Sequence, residues 1–293
     1  MKTLCLTLSG SLFIAPFLAY CNSSGLPNSD IFIAKISHNK VISVENITKR
    51  SGYDNQPNFS DKGLLYTAAI KRNEQWQTDI MLYDMNVKKT FNLTNTDASE
   101  YSPTQIPKSS QFSVIRVGDD SSQELWQYSY NGQSNAIRLR KEAGEIGYHA
   151  WGQNKDLITF VLGKPHALYF GNIEKQTGEP VAYDIGRTLA YNQTLDAYSF
   201  SQYKDKEQWV TLFNYRDKAF QPIYKLPQGV DYYAWQNDSS LIYAKGSKIY
   251  SWKINNQGEA SLWLDFTNQC NGMISRLKYQ ASTQHLAFVC ERS

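Results

Sequence analysis

Histidine, methionine, proline and unbalanced charge are all scarce in this chain. Its 293 residues include 4 His, 4 Met, 9 Pro and 4 Cys, and 30 basic side chains face 27 acidic ones for a formal net charge of +3. So few histidines leave little material for metal-centred or acid–base chemistry, and no HExxH, GxSxG or phosphate-loop pattern occurs. Lys and Arg are spread among Asp and Glu, which excludes a nucleic-acid binder held by a basic face. No segment carries a sustained 3.6-residue apolar stripe, so helices are expected to be few. Aromatic residues, by contrast, are plentiful. With 20 Tyr, 13 Phe and 7 Trp the chain is not a solvated coil.

The one long stretch that is mostly apolar, Leu4 to Leu18, is interrupted by Ser9, Gly10 and Ser11. Lys2 is the only charge before Asp30. The stretch is shorter than the roughly 20 residues that cross a bilayer. It reads as a secretory signal over residues 1–21, with small residues near Ala19 for a signal peptidase. Leu18-Ala19-Tyr20-Cys21 also resembles a lipobox, although Tyr20 stands where that pattern has a small residue. Both readings place the protein outside the cytoplasm, in the periplasm, at the outer membrane or secreted. A lipid on Cys21 would be its only membrane attachment. Cys5 and Cys21 belong to this segment, which leaves Cys270 and Cys290. With no CxxC spacing and no nearby His cluster, that pair is expected to form a disulfide rather than a zinc site.

The rest of the chain repeats. Gln56 to Tyr66 runs as an apolar anchor, a polar turn and a new strand. The same layout returns at Ser102–Val114, Ala150–Ile158 and Ala234–Tyr243, with weaker copies at Leu189–Leu195 and Leu277–Thr283. The anchors Phe59, Ile106, Trp151, Tyr191, Trp235 and Tyr279 are spaced 40 to 47 residues apart. Short alternating strands at that period are the signature of a β-propeller. In one unit the strands read as Gln56–Ser60, Leu64–Ile70, Asp79–Asp84 and Thr90–Leu93. Two strands precede the first anchor, Ile31–Ile36 and Lys40–Glu45. Two close the chain, Ser275–Tyr279 and His285–Cys290. Two and two make one blade. The sequence therefore predicts an all-β fold, residues 30–293 forming a single six-bladed propeller of four-stranded antiparallel blades. The closing blade is shared between the N- and C-terminal strands, which leaves no open edge at the seam.

Pro57-Asn58-Phe59-Ser60-Asp61-Lys62-Gly63, then Thr78 to Asp84, then Asn92-Leu93-Thr94 resemble the TolB-type propeller repeat. The match is good over 53–96, fair over 100–145 and weak beyond. The resemblance implies an exported bacterial propeller. TolB-family proteins belong to the periplasmic Tol system and carry an additional N-terminal domain. The length here leaves no room for that domain, so its partner-binding role is not carried over.

Chemistry is harder to find. His38 and His285 are expected in solvated turns, and His166 in a hairpin loop. His149 is expected in a loop feeding an innermost strand. Equivalent loops would bring Tyr53, Asp54, Glu100, Tyr101, Tyr148, Asp231 and Tyr232 to one mouth of the central channel, with Arg187 and Arg276 adding positive charge. Tyr beside ionisable groups suits recognition; the same residues would equally serve as packing and loop caps. The Arg138–Glu142 run reads as a solvated strand end. Two functions follow. One is a non-enzymatic, monomeric binding module for a protein or cell-envelope ligand, with no cofactor, metal or nucleic acid. The other is a carbohydrate-active or related hydrolase or lyase using the same ionisable groups.

Overall fold

The computed structural model describes residues 26–72, 75–131, 136–175, 177–254 and 258–292. The signal segment expected over residues 1–21, with Cys5 and Cys21, lies outside the described residues. The fold is all-β: six four-stranded antiparallel sheets set around one axis, with no helix among the described residues.

The six innermost strands are Asp54–Ser60, Ser99–Gln105, Ile146–Trp151, Ile185–Asn192, Tyr233–Asn237 and Gly272–Gln280. They define blades 1 to 6 in that order. Each sequence anchor lies within two residues of the end of an innermost strand, Ile106 one residue beyond it. In blade 1 the strands run Asp54–Ser60, Gly63–Arg72, Gln75–Asp84 and Lys89–Asn92, longer than expected at most ends. Leu93 leaves its strand, but its N–H still donates to the Ile80 carbonyl at 2.8 Å.

Blade 6 is composite, as the sequence implies. From rim to axis its order is Lys40–Asn46, Ser29–Ser37, His285–Arg292, Gly272–Gln280. The N-terminal strand pairs with the C-terminal one over most of its length, from Ser29 opposite Glu291 to Lys35 opposite His285. Cys270 and Cys290 are bridged, with Cα atoms 5.6 Å apart. Closing a 20-residue loop contributes about 3 kcal/mol on a chain-entropy argument. The bridge ties the innermost strand to the strand that meets the N-terminus.

The core is divided rather than central. Six clusters of buried apolar side chains lie one in each gap between neighbouring blades. Both faces of a middle strand are therefore covered, and Gly63–Arg72 is buried almost continuously from Leu64 to Ala69. The outermost strand Lys89–Asn92 is exposed throughout. Two anchors also cross between blades through polar groups. The Trp151 indole donates to Ser113 Oγ of blade 2 at 2.8 Å, and Trp235 does the same to Ser199 of blade 4 at 3.0 Å.

One expectation fails outright. The Arg138–Glu142 run is not a solvated strand end, because Arg140 and Glu142 are both fully buried and paired at 3.2 Å. Gly171 makes this possible. A Cβ there would collide with Arg140 Nη2, so the bare backbone leaves room for the guanidinium in this position.

Candidate functional site

The innermost strands are irregular where they approach the axis. Register breaks occur between Asn55 and Asn58, Tyr101 and Thr104, Ile146 and Tyr148, Ile185 and Leu189, Trp235 and Asn237, and Ile274 and Arg276. A bulge frees residues from the ladder and re-aims their side chains. In blades 1 and 2 the freed residues are Gln56-Pro57 and Ser102-Pro103, where a missing proline N–H costs no ladder bond. Gln56 and Ser102 hold positive φ angles of 57° and 55°, a strained region for residues with side chains. Gln56 supports both bulges. Its Oε1 accepts from the Ser102 N–H and from Thr67 Oγ1, each at 2.8 Å.

The bulges open on a cavity of about 300 Å³ at the axis. Its walls include Gln56 and Ser102 from blades 1 and 2, and Tyr148 and His149 from blade 3. Arg187, Tyr232, Arg276 and Lys278 add to its polar lining from blades 4 to 6. Arg276 is the hub. Its Nη2 donates to Tyr148 Oη at 2.9 Å and to Tyr232 Oη at 2.7 Å. Its guanidinium also lies 3.9 Å from the Tyr232 ring centre and 5.1 Å from that of Tyr148, within cation–π range. Burial disfavours the charged guanidinium, but these phenols, with Tyr53 nearby, outweigh it and hold the Arg276 pKa above its usual value. Burial also pushes the Tyr148 phenol up, and Arg276 and Arg187 together reverse this and bring it below its ordinary range. Tyr232 stays raised by its burial.

The ten residues expected at the mouth therefore divide. Tyr148, His149, Arg187, Tyr232 and Arg276 line the cavity, and Asp231 is exposed beside Tyr232, its carbonyl accepting from Thr188 Oγ1 at 2.9 Å. Tyr101 borders a smaller adjoining void, with Gln56, Tyr148 and Arg187. Tyr53 is buried close to Arg276. Asp54 and Glu100 are fully buried and belong to networks outside the cavity lining. Asp54 accepts from Arg50 Nη2 at 2.6 Å, and Glu100 from Tyr128 Oη at 3.1 Å and from Thr96. Position explains the split. Asp54 and Glu100 precede the bulges and keep regular pairing to Ala68 and Arg116.

Several placements differ from the sequence reading. Asp54, Glu100, Tyr101, Tyr148 and His149 lie within innermost strands, not in the loops before them, and Arg187 lies within its strand rather than ahead of it. His285 begins the last strand, opposite Lys35 and Gln280, and is not in a turn. His38 does occupy a turn, and His166 a hairpin loop. Lys278 was not singled out. It follows Arg276 by two on the same strand, and that spacing was the available signal. The close Ser113 Oγ–His149 Nε2 contact of 2.7 Å does not amount to an exposed nucleophile with its base. Ser113 is fully buried, holds the Trp151 indole and reaches the Thr104 carbonyl. Among the described residues no group of three or more His, Cys, Asp or Glu is placed to hold a metal ion.

Glu100 and His149 should give opposite pH signatures. Burial pushes the Glu100 carboxyl up to about 7. The stability it contributes is fully present below pH 4.5 and is lost as pH rises through 7. Burial holds His149 down at about 3, so its contribution is present above pH 6.5 and is lost as pH falls. Urea unfolding at pH 5 and pH 8 checks both. Relative to the wild type, Glu100→Gln should be more stable at pH 8 than at pH 5, by on the order of 3 kcal/mol. His149→Gln should show the reverse trend. Parallel pH profiles for all three proteins would contradict this account.

No protein-family model matches the chain, and no curated protein matches it. Solved structures do. A protein assigned as TolB from Agrobacterium tumefaciens superposes with a TM-score of 0.72 at 11% identity, over 92% of this chain and 100% of that one. The fold is TolB-like. Two other propellers match less closely. A gluconolactonase from Xanthomonas campestris has a TM-score of 0.62 at 11% identity, over 84% of this chain and 88% of that one. A chain of a nidogen/laminin complex has 0.53 at 4% identity, over 86% and 82%. At these identities the likeness is one of architecture. The TolB-like ring accounts for the blades and their closure, and the cavity residues must be read from their own chemistry.

Proposed function

We propose that this protein is an exported, monomeric binding module that takes a protein or cell-envelope ligand at the channel mouth. The observation that carries this reading is the Arg276 clasp: one guanidinium held by two tyrosines from other blades at the wall of an open cavity. A rigid, amphipathic Tyr/Arg surface is what binding hot spots are made of. The bulges that build it add no strength to their own sheets. A propeller of similar fold in a nidogen/laminin complex supports a protein-recognition role. The alternative, a hydrolase or lyase, is supported by the fold likeness to a gluconolactonase. The cavity lining, however, includes no Asp or Glu from which a pair of catalytic carboxylates could be drawn.

The test is site-directed photo-crosslinking in intact cells. A photoreactive residue at Asp231, on the rim, should capture a discrete adduct. One at Leu262, exposed on the outermost strand of blade 5, should not. Adducts at Leu262 and none at Asp231 would overturn the assignment of the mouth.

A further inference from the structure

The cavity has cations without carboxylates to match. Arg187, Arg276 and Lys278 line it, and no Asp or Glu does. Most other arginines of the protein are treated differently. Arg50, Arg72, Arg138, Arg140, Arg216 and Arg292 each have a carboxylate within 4 Å, and Arg116, which has none among the described residues, lies over the Trp126 ring outside the cavity. Arg187 and Arg276 have none among the described residues, and Lys278 has neither an ion pair nor a hydrogen bond to them. Charge withdrawn from water without a partner is costly. A protein keeps such a cluster where something else supplies the counter-charge.

The proton count points the same way. Both phenol oxygens accept from Arg276 Nη2. A phenol also has one hydrogen to give, and these two bonds use neither. Nη1 and Nε of Arg276 make no hydrogen bond to described residues. The lowered Tyr148 pKa reflects the same field, since the two arginines favour negative charge at that spot. Burial lowers the Lys278 pKa, and a bound anion would reverse that.

We propose that the channel cavity is a binding site for an oxyanion, a carboxylate or phosphate group of the ligand, held by Arg187, Arg276, Lys278 and a phenolic O–H of the Tyr148–Tyr232 pair. This rests on the binding-module reading and names the chemistry its ligand must carry. Arginine offers a planar fork to two oxygens, whereas lysine supplies a point charge. A cavity of about 300 Å³ admits a sugar-sized group.

Matched sugars test it by titration calorimetry on the full chain. Glucuronate carries a carboxylate, glucose 6-phosphate a phosphate, and glucose neither. At least one of the two anions should bind at one site per chain, roughly tenfold or more tighter than glucose. Which of the two binds tighter identifies the oxyanion. Lys278→Met removes a side chain with no partner among the described residues, so the fold should survive, and anion affinity should fall by roughly tenfold. Arg276→Gln should lower it further, with thermal unfolding checked alongside. Lys225→Met, far from the axis and paired with Glu207, should leave it unchanged. Equal binding of glucose and both anions, no binding of either anion, or unchanged affinity in Lys278→Met would each overturn the proposal. Rim crosslinks that persist in those cases would leave the binding-module reading standing. Anion binding without rim crosslinks would do the opposite.

Discussion

Deleting residues 274–293 should abolish the soluble monomer. The deletion removes nearly all of the innermost strand of blade 6 and the whole strand His285–Arg292. The N-terminal strand Ser29–Ser37 then loses its inner neighbour, paired with it from Ser29 to Lys35. Two of the six inter-blade clusters are broken. The gap between blades 5 and 6 loses Ile274, Leu277, Leu286, Phe288 and Cys290, and the gap between blades 6 and 1 loses Ala287 and Val289. Burying each large apolar side chain is worth about 1.5–3 kcal/mol, against a typical net stability of about 5–15 kcal/mol. The open ring would also present unpaired strand edges, which invite association. Size-exclusion chromatography and a thermal melt decide the matter. A truncated chain that elutes as a monomer and unfolds cooperatively would show that five blades suffice.

Replacing Glu142 by Ala should cost about 3–5 kcal/mol. Glu142 does more than face Arg140. Its Oε1 accepts from Thr159 Oγ1 at 3.0 Å and its Oε2 from the Gly178 N–H at 2.7 Å. Arg140 lies with its side chain fully buried and its nearest carboxylate on Glu142, and burial lowers its pKa. Without Glu142 the guanidinium keeps its desolvation penalty and loses its counter-charge. A double replacement, Arg140→Met with Glu142→Leu, should recover most of the loss, because apolar groups of similar volume need no partner there. Urea unfolding of the two variants tests this. A cost below about 1 kcal/mol for Glu142→Ala would place the pair among solvated surface bridges.

The likeness to solved propellers at 11% identity and below shows how little side-chain identity the ring requires. Each blade asks for a short alternating strand, a polar turn and a bulky residue at the end of the innermost strand. Trp151, Trp235 and Phe59 meet that demand with different chemistry. The cavity side chains are free of it, which is why the mouth must be read residue by residue.

The sequence by itself determined the blade count, the shared closing blade, the spacing of the anchors and the Cys270–Cys290 bridge. These features follow from period, turn chemistry and chain order, all of which are local or countable along the chain. Tertiary structure alone decided which polar residues meet. Asp54 and Arg276 both precede their strand's anchor, yet one is buried against Arg50 and the other reaches the axis. The difference lies in register: a bulge before Arg276 shifts it, whereas Asp54 keeps its pairing to Ala68. A one-residue break in a ladder exchanges the two faces of a strand, and in blade 6 no proline marks where it falls, as Pro57 and Pro103 do in blades 1 and 2. The same holds for Arg140 and Glu142. They look like part of a solvated charge run until blade 3 folds over them, because burial is set by the neighbouring blade and not by the run itself.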